Sequence, residues 1–587
     1  MIGCGSSGSG DQKKESGYVV KFYDANLDLN HSLNLAAAGS IDLSELRGEY
    51  DLPIALYAAS SSDSIEGASS YPITHSVNFY GVPNVIEIRT ELELNDIRFN
   101  IGEIYSYLDT NMSRITGAYI LMNDIALTSA TLDDTEGWSP IGTYDDIFNI
   151  YTFTGILNGN GYKVSGLWNN GSSTENIGLF GYISGAQIKN LGVAIDNAKG
   201  GITGNNQVAG GSVGAIAGYI DNGSSINNSY STGNISMCEG DDGSVGAIAG
   251  KVENSSINNS YSTGNISGGR DVGGIAGSVY KSLISASYST GNVSGEAYSV
   301  GGIAGWVYSG SAINGSHSTG TISGAVSTGG IAGIADETSI TNSYATGDVS
   351  SRSDAFVGGI AGYLRYDSSI SASYSTGNIS GGRYVGGIAG YVVSASINNS
   401  YSTGNISEDC YDQEDFNGGC YYVGGIAGEV ENSSISASYS TGNISGSAHD
   451  DEGDSAGGIA GSVNAGQSIG NASSIENNAA INSKIVSGDS PSVSRVVGRI
   501  DSTFGTVTVS NNFALDTMII KGVVYEGSTS DLNGTSKSNE DLKTSTIYSD
   551  AVSGDGLGGL GWKFGDDDAN PWQMREGNDY PVLYWQQ

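Results

Sequence analysis

One phrase, written again and again, constrains this chain more than anything else in it. A segment of the form G-[GA]-I-A-G opens successive copies at Val213, Val245, Val272, Val300, Thr328, Val357, Val385, Val423 and Ala456. A second segment, S-x-S-T-G-N-[IV]-S with variants, follows about sixteen residues later in all but the last copy. Most steps are about 28 residues, inside the roughly 20–50 range of solenoids and related arrays. The longer steps come from insertions at one place: Met237–Ser244, Glu408–Tyr422 and the acidic stretch around His449–Asp454. Insertions confined to one corner are loops on one edge of a regular coil.

Within a copy the apolar period is two, not 3.6. In Ile360-Ala361-Gly362-Tyr363-Leu364, Ile360 and Leu364 share one side while Ala361 and Tyr363 face the other. In the second segment Ile397, Asn399 and Tyr401 share a side. The row Tyr230, Tyr261, Tyr288, Tyr344, Tyr374, Tyr401 and Tyr439 is therefore expected to point inward, with the Ile four residues earlier. A third segment, Asn405-Ile406-Ser407, buries one Ile or Val, and the Gly of Ser-Thr-Gly supplies the turn before it. Three short strands per copy cannot make a core alone, but coils stacked about 4.8 Å apart can. Stacking sets Ile on Ile, Asn on Asn and Tyr on Tyr, so the sequence repeats because each residue's neighbours do. The expected fold is all-β, a parallel β-helix, right-handed by the crossover rule. A β-propeller would want about 40–50 residues and four strands per blade.

Composition fits an elongated repeat domain with attachments. The chain has 587 residues with 90 Gly but only 7 Pro, which excludes collagen, and 38% hydrophobic residues, too many for a disordered chain. A formal charge of -38 makes nucleic acid and anionic lipid poor partners. No apolar run approaches the roughly 20 residues of a membrane span. The four cysteines are too few for a disulfide scaffold.

The paired phrases, G-x-[IL]-[AF]-G and then S-I-x-N-S-Y-S-T-G-N-I-S, resemble the GLUG repeat of bacterial cell-surface proteins. The stretch from Phe153-Thr154-Gly155 through Asn158-Gly159-Asn160-Gly161-Tyr162 to Gly178-Leu179-Phe180-Gly181 is similar to the lead-in of such proteins. The resemblance covers roughly residues 117 to 515. It implies an extracellular solenoid, as in adhesins and in accessory regions of some immunoglobulin-cleaving metallopeptidases. Those peptidases carry HExxH in a separate zinc domain; this sequence has four histidines and none in that spacing, so peptidase activity is not expected.

The expected layout is a flexible tether over 1–17, a small β-sandwich over 18–89, a capping helix and linker over 90–116, the β-helix over 117–515, and C-terminal coils with an aromatic cap over 516–587. Thr90-Glu91-Leu92-Glu93 reads as a capping box, followed by Leu94, Ile97, Ile101, Ile104 and Leu108 at helical spacing. Val507–Asn512 continues the coil, and Trp572, Tyr580, Tyr584 and Trp585 are expected to close its end. Met1-Ile2-Gly3-Cys4 with the Gly/Ser stretch after it resembles a bacterial lipoprotein site, which implies lipid on Cys4.

No catalytic set can be assembled. Arg270 and Arg383 hold equivalent corners four coils apart, about 19 Å at strand spacing, and His317 merely replaces a Tyr of the row. No metal set is identified. Cys410 and Cys420 flank an acidic loop and are expected to close a disulfide in an exported protein, leaving Cys238 unpaired. That loop and Asp566-Asp567-Asp568 match no calcium motif, so weak calcium binding is the only cofactor chemistry left open. The functional expectation is an adhesin on the cell surface or outer membrane, binding a glycan or a surface or matrix protein. The alternatives are a spacer or self-assembling fibre, and a polysaccharide-active enzyme. The expected binding strip is Tyr280, Trp306, Tyr308, Ile334, Tyr363 and Tyr391, large apolar side chains outward on a Ser/Asn surface.

Overall fold

The structure is a computed structural model. It describes residues 18–35, 39–43, 56–58, 70–73, 76–99, 101–107, 110–129, 131–142, 144–146, 149–170, 175–204, 211–237, 243–296, 298–352, 355–408, 422–446, 454–468, 470–487, 492–524, 532–549, 559–575 and 580–586. Cys4, Cys238, Cys410 and Cys420, with the acidic loop between the last two, lie outside the described residues.

The repeats form a parallel β-helix. A full coil contributes five short strands, not three; one runs Asp271–Gly273, Ala276–Tyr280, Leu283–Ser285, Tyr288–Ser289 and Val293–Ser294. We number the five sheets these strands build 1 to 5 in that order; among the described residues they hold 11, 15, 14, 14 and 12 strands. Register is strict: Ile257 pairs with Ile284, then Ile313, Ile340 and Ile370. Inward rows of Ile and Val, such as Val272, Ile275, Val279, Ile284 and Val293, are at most 1% exposed and form one continuous core. Two of the glycines show why the phrase cannot vary. A Cβ on Gly302 would lie 2.1 Å from the carbonyl oxygen of Gly330 in the next coil, and one on Gly305 would lie 2.5 Å from the Val272 nitrogen of sheet 1.

The turn between sheets 3 and 4 overturns the expected phase of the Tyr row. Its middle residue is left-handed in coil after coil from Asn160 to Asn511, as in Asn259 (φ 49°), Ala286 (φ 46°), Asn342 (φ 51°) and Asn399 (φ 48°). Asn tolerates that region better than other residues, which is why it recurs there. A left-handed residue resets the alternation, so Ile257 points in, Tyr261 points out, and Ser262 beside it is fully buried. The tyrosines stack outside the coil, with centres 4.8–5.1 Å apart and planes within 10°. His317 takes its place among them between Tyr288 and Tyr344.

At the N-terminal end, strands Tyr18–Tyr23, Leu29–Leu35, Val77–Tyr80 and Tyr57–Ala58 form one four-stranded sheet, and Gly39–Asp42 pairs with Ser70–Ile73. Ile41 packs on Val20, Phe22 and Phe79. Val85–Ile88 already pairs in parallel with Ala118–Leu121, so the coils begin some thirty residues before the expected 117. The capping box at Thr90 forms, but its helix spans only Glu91–Asp96 and ends in a 3-10 turn, Ile97–Phe99. Ile101 and Ile104 belong to a strand, Ile101–Tyr107, antiparallel to Thr110–Ile115. Gly102 and the run of Ile and Tyr favour strand over helix there.

At the other end Thr506–Ser510 continues sheet 3. Arg495, fully buried, donates to the carbonyls of Leu515 and Gly534. The aromatic tail does not close the end of the stack. It doubles back along sheet 4, where Trp572 lies near Tyr439 and Tyr401, and Trp585 near Tyr374 and Tyr344. Tyr439 and Tyr401 are buried beneath it, at 2% and 4% exposure.

Candidate binding face

Three outward rows on sheets 1 and 2 depart from the Ser/Asn pattern of the rest of the coil. On sheet 2 the first row reads Tyr182, Tyr219, Lys251, Ser278, Trp306, Ile334, Tyr363, Tyr391, Glu429, Ser462 and Arg499. The second, two residues on, carries Glu253, Tyr280, Tyr308, Asp336, Arg365, Val393 and Glu431. On sheet 1 the residue before Val-Gly is Phe356, Tyr384 or Tyr422 in three consecutive coils. Phe356 reaches both Tyr363 and Tyr391, at 4.9 and 5.6 Å between ring centres. Side chains leaving two adjacent walls can touch only across a concave angle, so the junction of sheets 1 and 2 is a trough. Outward here is not the same as exposed: Ser278, Ile334, Glu429 and Ser462 are 8% exposed or less.

The six expected residues therefore do not make one strip. Ile334 is 1% exposed, lying between Trp306 and Tyr363 in the first row. The others fall into two clusters. Upstream, Trp306 stacks on Tyr308 at 4.4 Å, with Tyr280 at 5.0 Å from Tyr308 and Tyr298 edge-on to Trp306. Downstream, Tyr363 and Tyr391 stack parallel at 5.3 Å, and Tyr384 packs on Tyr391 at 5.1 Å. Tyr298, Phe356, Tyr384 and Tyr422 escaped the sequence reading. The period of two applied to the short x-Val-Gly segment, with Val357 inward, would have placed Phe356 outward.

Two ion pairs lie on this face. Lys251 sits 2.6 Å from Glu253, and Arg365 sits 2.9 Å from Asp336 while lying 5.0 Å over the Tyr363 ring. Arg270 covers Tyr298 and Lys281 covers Tyr280. Burial, and then the charge of Glu431, pushes the Glu429 carboxyl up to about 7. Near the downstream cluster a cleft of about 330 Å³ opens, lined by Tyr384, Tyr391, Tyr422, Glu429, Glu431 and Asp501 among others.

Elsewhere, candidates for chemistry have structural partners. Burial in the stack lowers the His317 pKa. Asp567 accepts from the backbone of Ala569 and Asn570, and Asp568 accepts from Tyr584. Among the described residues no group of three or more His, Cys, Asp or Glu is placed to hold a metal ion.

Residues 324–350 and 419–445 match the protein-family model described as the GLUG motif. The first match spans one full turn, from Gly324 through all five sheets to Ser350. A protein of Evansella cellulosilytica named as a Gly-rich membrane protein is 32% identical over 128 residues, 20% of this chain and 13% of that protein. Halomucin of Haloquadratum walsbyi is 41% identical over 101 residues, 17% of this chain and 1% of that protein. The chain thus spans a small part of the length of both curated relatives. A solved structure of a Bacteroides ovatus protein, named for an immunoglobulin A1 protease, aligns over 86% of this chain and 93% of that one. Its identity of 16% and TM-score of 0.24 are too low to carry any argument.

Proposed function

With GLUG repeats forming its coils, this chain is, we propose, the ligand-binding stalk of a surface protein that holds an extracellular glycan in the trough between sheets 1 and 2. One observation carries the reading. Among the described residues the outward rows of sheets 3 to 5 are mainly Ser, Asn, Thr and stacked Tyr, with isolated departures such as Leu283 and His317, whereas this trough gathers Trp306, Phe356 and six tyrosines in two clusters flanked by charged pairs. Packing the core asks nothing of those positions, because the same coil closes with Ser278 or Ser462 in the row. Rings beside carboxylates, guanidinium and amide groups match a polyhydroxylated ring, apolar on its faces and polar at its edge. The names of the two curated relatives, and the resemblance to adhesin repeats, support a place outside the cell.

The test is a glycan array and whole-cell binding with the purified chain, repeated with Trp306→Ser and Tyr363→Ser combined. That variant is expected to melt a few degrees lower, since Ile334 loses its cover, and to lose binding. Binding that survives the double change removes the trough from the account.

A further inference from the structure

One outward arrangement occurs twice on sheet 2, and the two copies differ by a charge. Upstream, the Tyr219 hydroxyl donates to Glu253 at 2.6 Å. Lys251 completes the group, its ammonium 2.6 Å from the other Glu253 oxygen and 5.1 Å from the centre of the Tyr219 ring. Downstream, the Tyr391 hydroxyl donates to Glu431 in the same diagonal way. Yet the residue in the place of Lys251, one coil after the Tyr in the same row, is Glu429. The phenol and its carboxylate have been kept, and the cation has been exchanged for a second acid.

Among the described residues, neither Glu429 nor Glu431 has an ion pair, whereas Glu253 and Asp336, in the row of Glu431, each have one. Glu429 is 8% exposed and accepts from Asn464 at 2.8 Å; Arg383 and Arg499 act on it only from farther off. The cleft opens at this spot, and Phe504, 52% exposed, stands in its lining.

We propose that this cleft binds the ammonium group of an amine-bearing sugar, a hexosamine lacking its N-acetyl group, at the position the Lys251 ammonium holds upstream. The proposal rests on the glycan reading above and names the sugar. A cation there lies over the Tyr391 ring and against Glu431 and Glu429, where ring quadrupole and carboxylates reinforce each other in a partly water-excluded site. Tyr384 and Tyr422 offer flat apolar surface to the pyranose, and Asp501 and Arg499 are the polar groups for its hydroxyls. The volume is at the small end for ligand sites, suited to one or two sugar units. Three carboxylates facing the cleft disfavour uronates and sulfated sugars. N-acetylation removes the positive charge and leaves the two glutamates without a cationic partner.

Calorimetric titration of the full chain with a glucosamine trisaccharide, its N-acetylated form, a galacturonate trisaccharide and a Lys-rich peptide tests the assignment. The free amine is expected to bind at least about tenfold more tightly than the acetylated sugar, with no binding of the uronate. Glu431→Gln should weaken it by a similar factor, whereas Glu253→Gln should not. Glu429→Lys rebuilds the upstream group within the chain. It should keep or raise the melting temperature and abolish amine binding, so its loss cannot be blamed on misfolding. Equal affinity for the acetylated sugar, retained binding by Glu429→Lys, or equal affinity for the peptide would each overturn the hexosamine assignment. If other sugars still bind and are lost with the Trp306 and Tyr363 double variant, the glycan reading survives that failure; a wild-type chain that binds no sugar ends both.

Discussion

Two serines in one coil, Ser373 and Ser375, are both fully buried and have opposite energetic sign. The left-handed turn residue leaves the next backbone N–H with no strand partner, and a hydroxyl from the following coil takes it. Ser343 N–H donates to Ser373 Oγ, and Ser373 N–H to Ser400 Oγ, while each hydroxyl donates to the carbonyl two residues back. Ser373→Ala therefore strands a buried donor and should cost about 1–3 kcal/mol. Among the described residues Ser375 Oγ has no hydrogen-bond partner, and the coil before it holds Ala345 at that site. Ser375→Ala should be neutral or stabilising by up to about 1 kcal/mol, so in thermal melts Ser373→Ala should lower the midpoint and Ser375→Ala should not. Glu429 makes the third residue-scale prediction. Its folded pKa of about 7 exceeds the ordinary 4.5, so its contribution is full below that ordinary value and is lost as pH rises through 7. The chain should lose up to roughly 3 kcal/mol between about pH 5 and about pH 8, and Glu429→Gln should flatten that loss in melts at both pH values. At this scale the sequence was legible wherever a strand was straight. It misled at Tyr401 because alternation fails across a left-handed Asn399, and at Ile334 because an outward side chain in a trough is still buried.

Among the elements, the doubled-back tail is held by a few large contacts. Trp572 is fully buried, its indole N–H donates to Asn399 Oδ1 at 3.1 Å, and its ring lies 4.7 Å from Trp562. The Tyr439 hydroxyl donates to the Pro581 carbonyl at 2.8 Å. Trp572→Ala should cost about 3–5 kcal/mol. Each coil feels only its neighbours, so the loss should stay local. Hydrogen exchange should quicken from about Asn399 to Ser440 and stay unchanged around Ile257 and Ile284; a uniform change along the stack would contradict this account. The route of the tail was hidden in the sequence for a physical reason. Its hydrogen bonds to Tyr439, Asn399 and Tyr401 span 142 to 185 residues and the tail itself belongs to no repeat, so no local pattern marks its route. The helix was half legible: the capping box announced its start at Thr90, but Ile101 and Ile104 fit a helical face as well as they fit a strand.

For the molecule as a whole, repetition made the fold the most legible property. A phrase of about 28 residues with period-two patterning can close only by stacking on itself, and the register of Ile257 on Ile284 follows. The site was legible only in part, because it is written in the few positions where copies disagree, and disagreement carries no period.

The returning tail also decides how the protein bears tension. Ladder hydrogen bonds run along the stack, so a pull along that direction loads them head-on and opens coils one after another from wherever force enters. Force applied at Gln586 does not enter at the last coil. It passes to the Tyr401 hydroxyl and, through Trp585, to the rings of Tyr374 and Tyr344. The coils beyond, out to Phe513–Leu515, hang behind that grip like slack rope behind a cleat, and they take up strain only once the indoles have been stripped away.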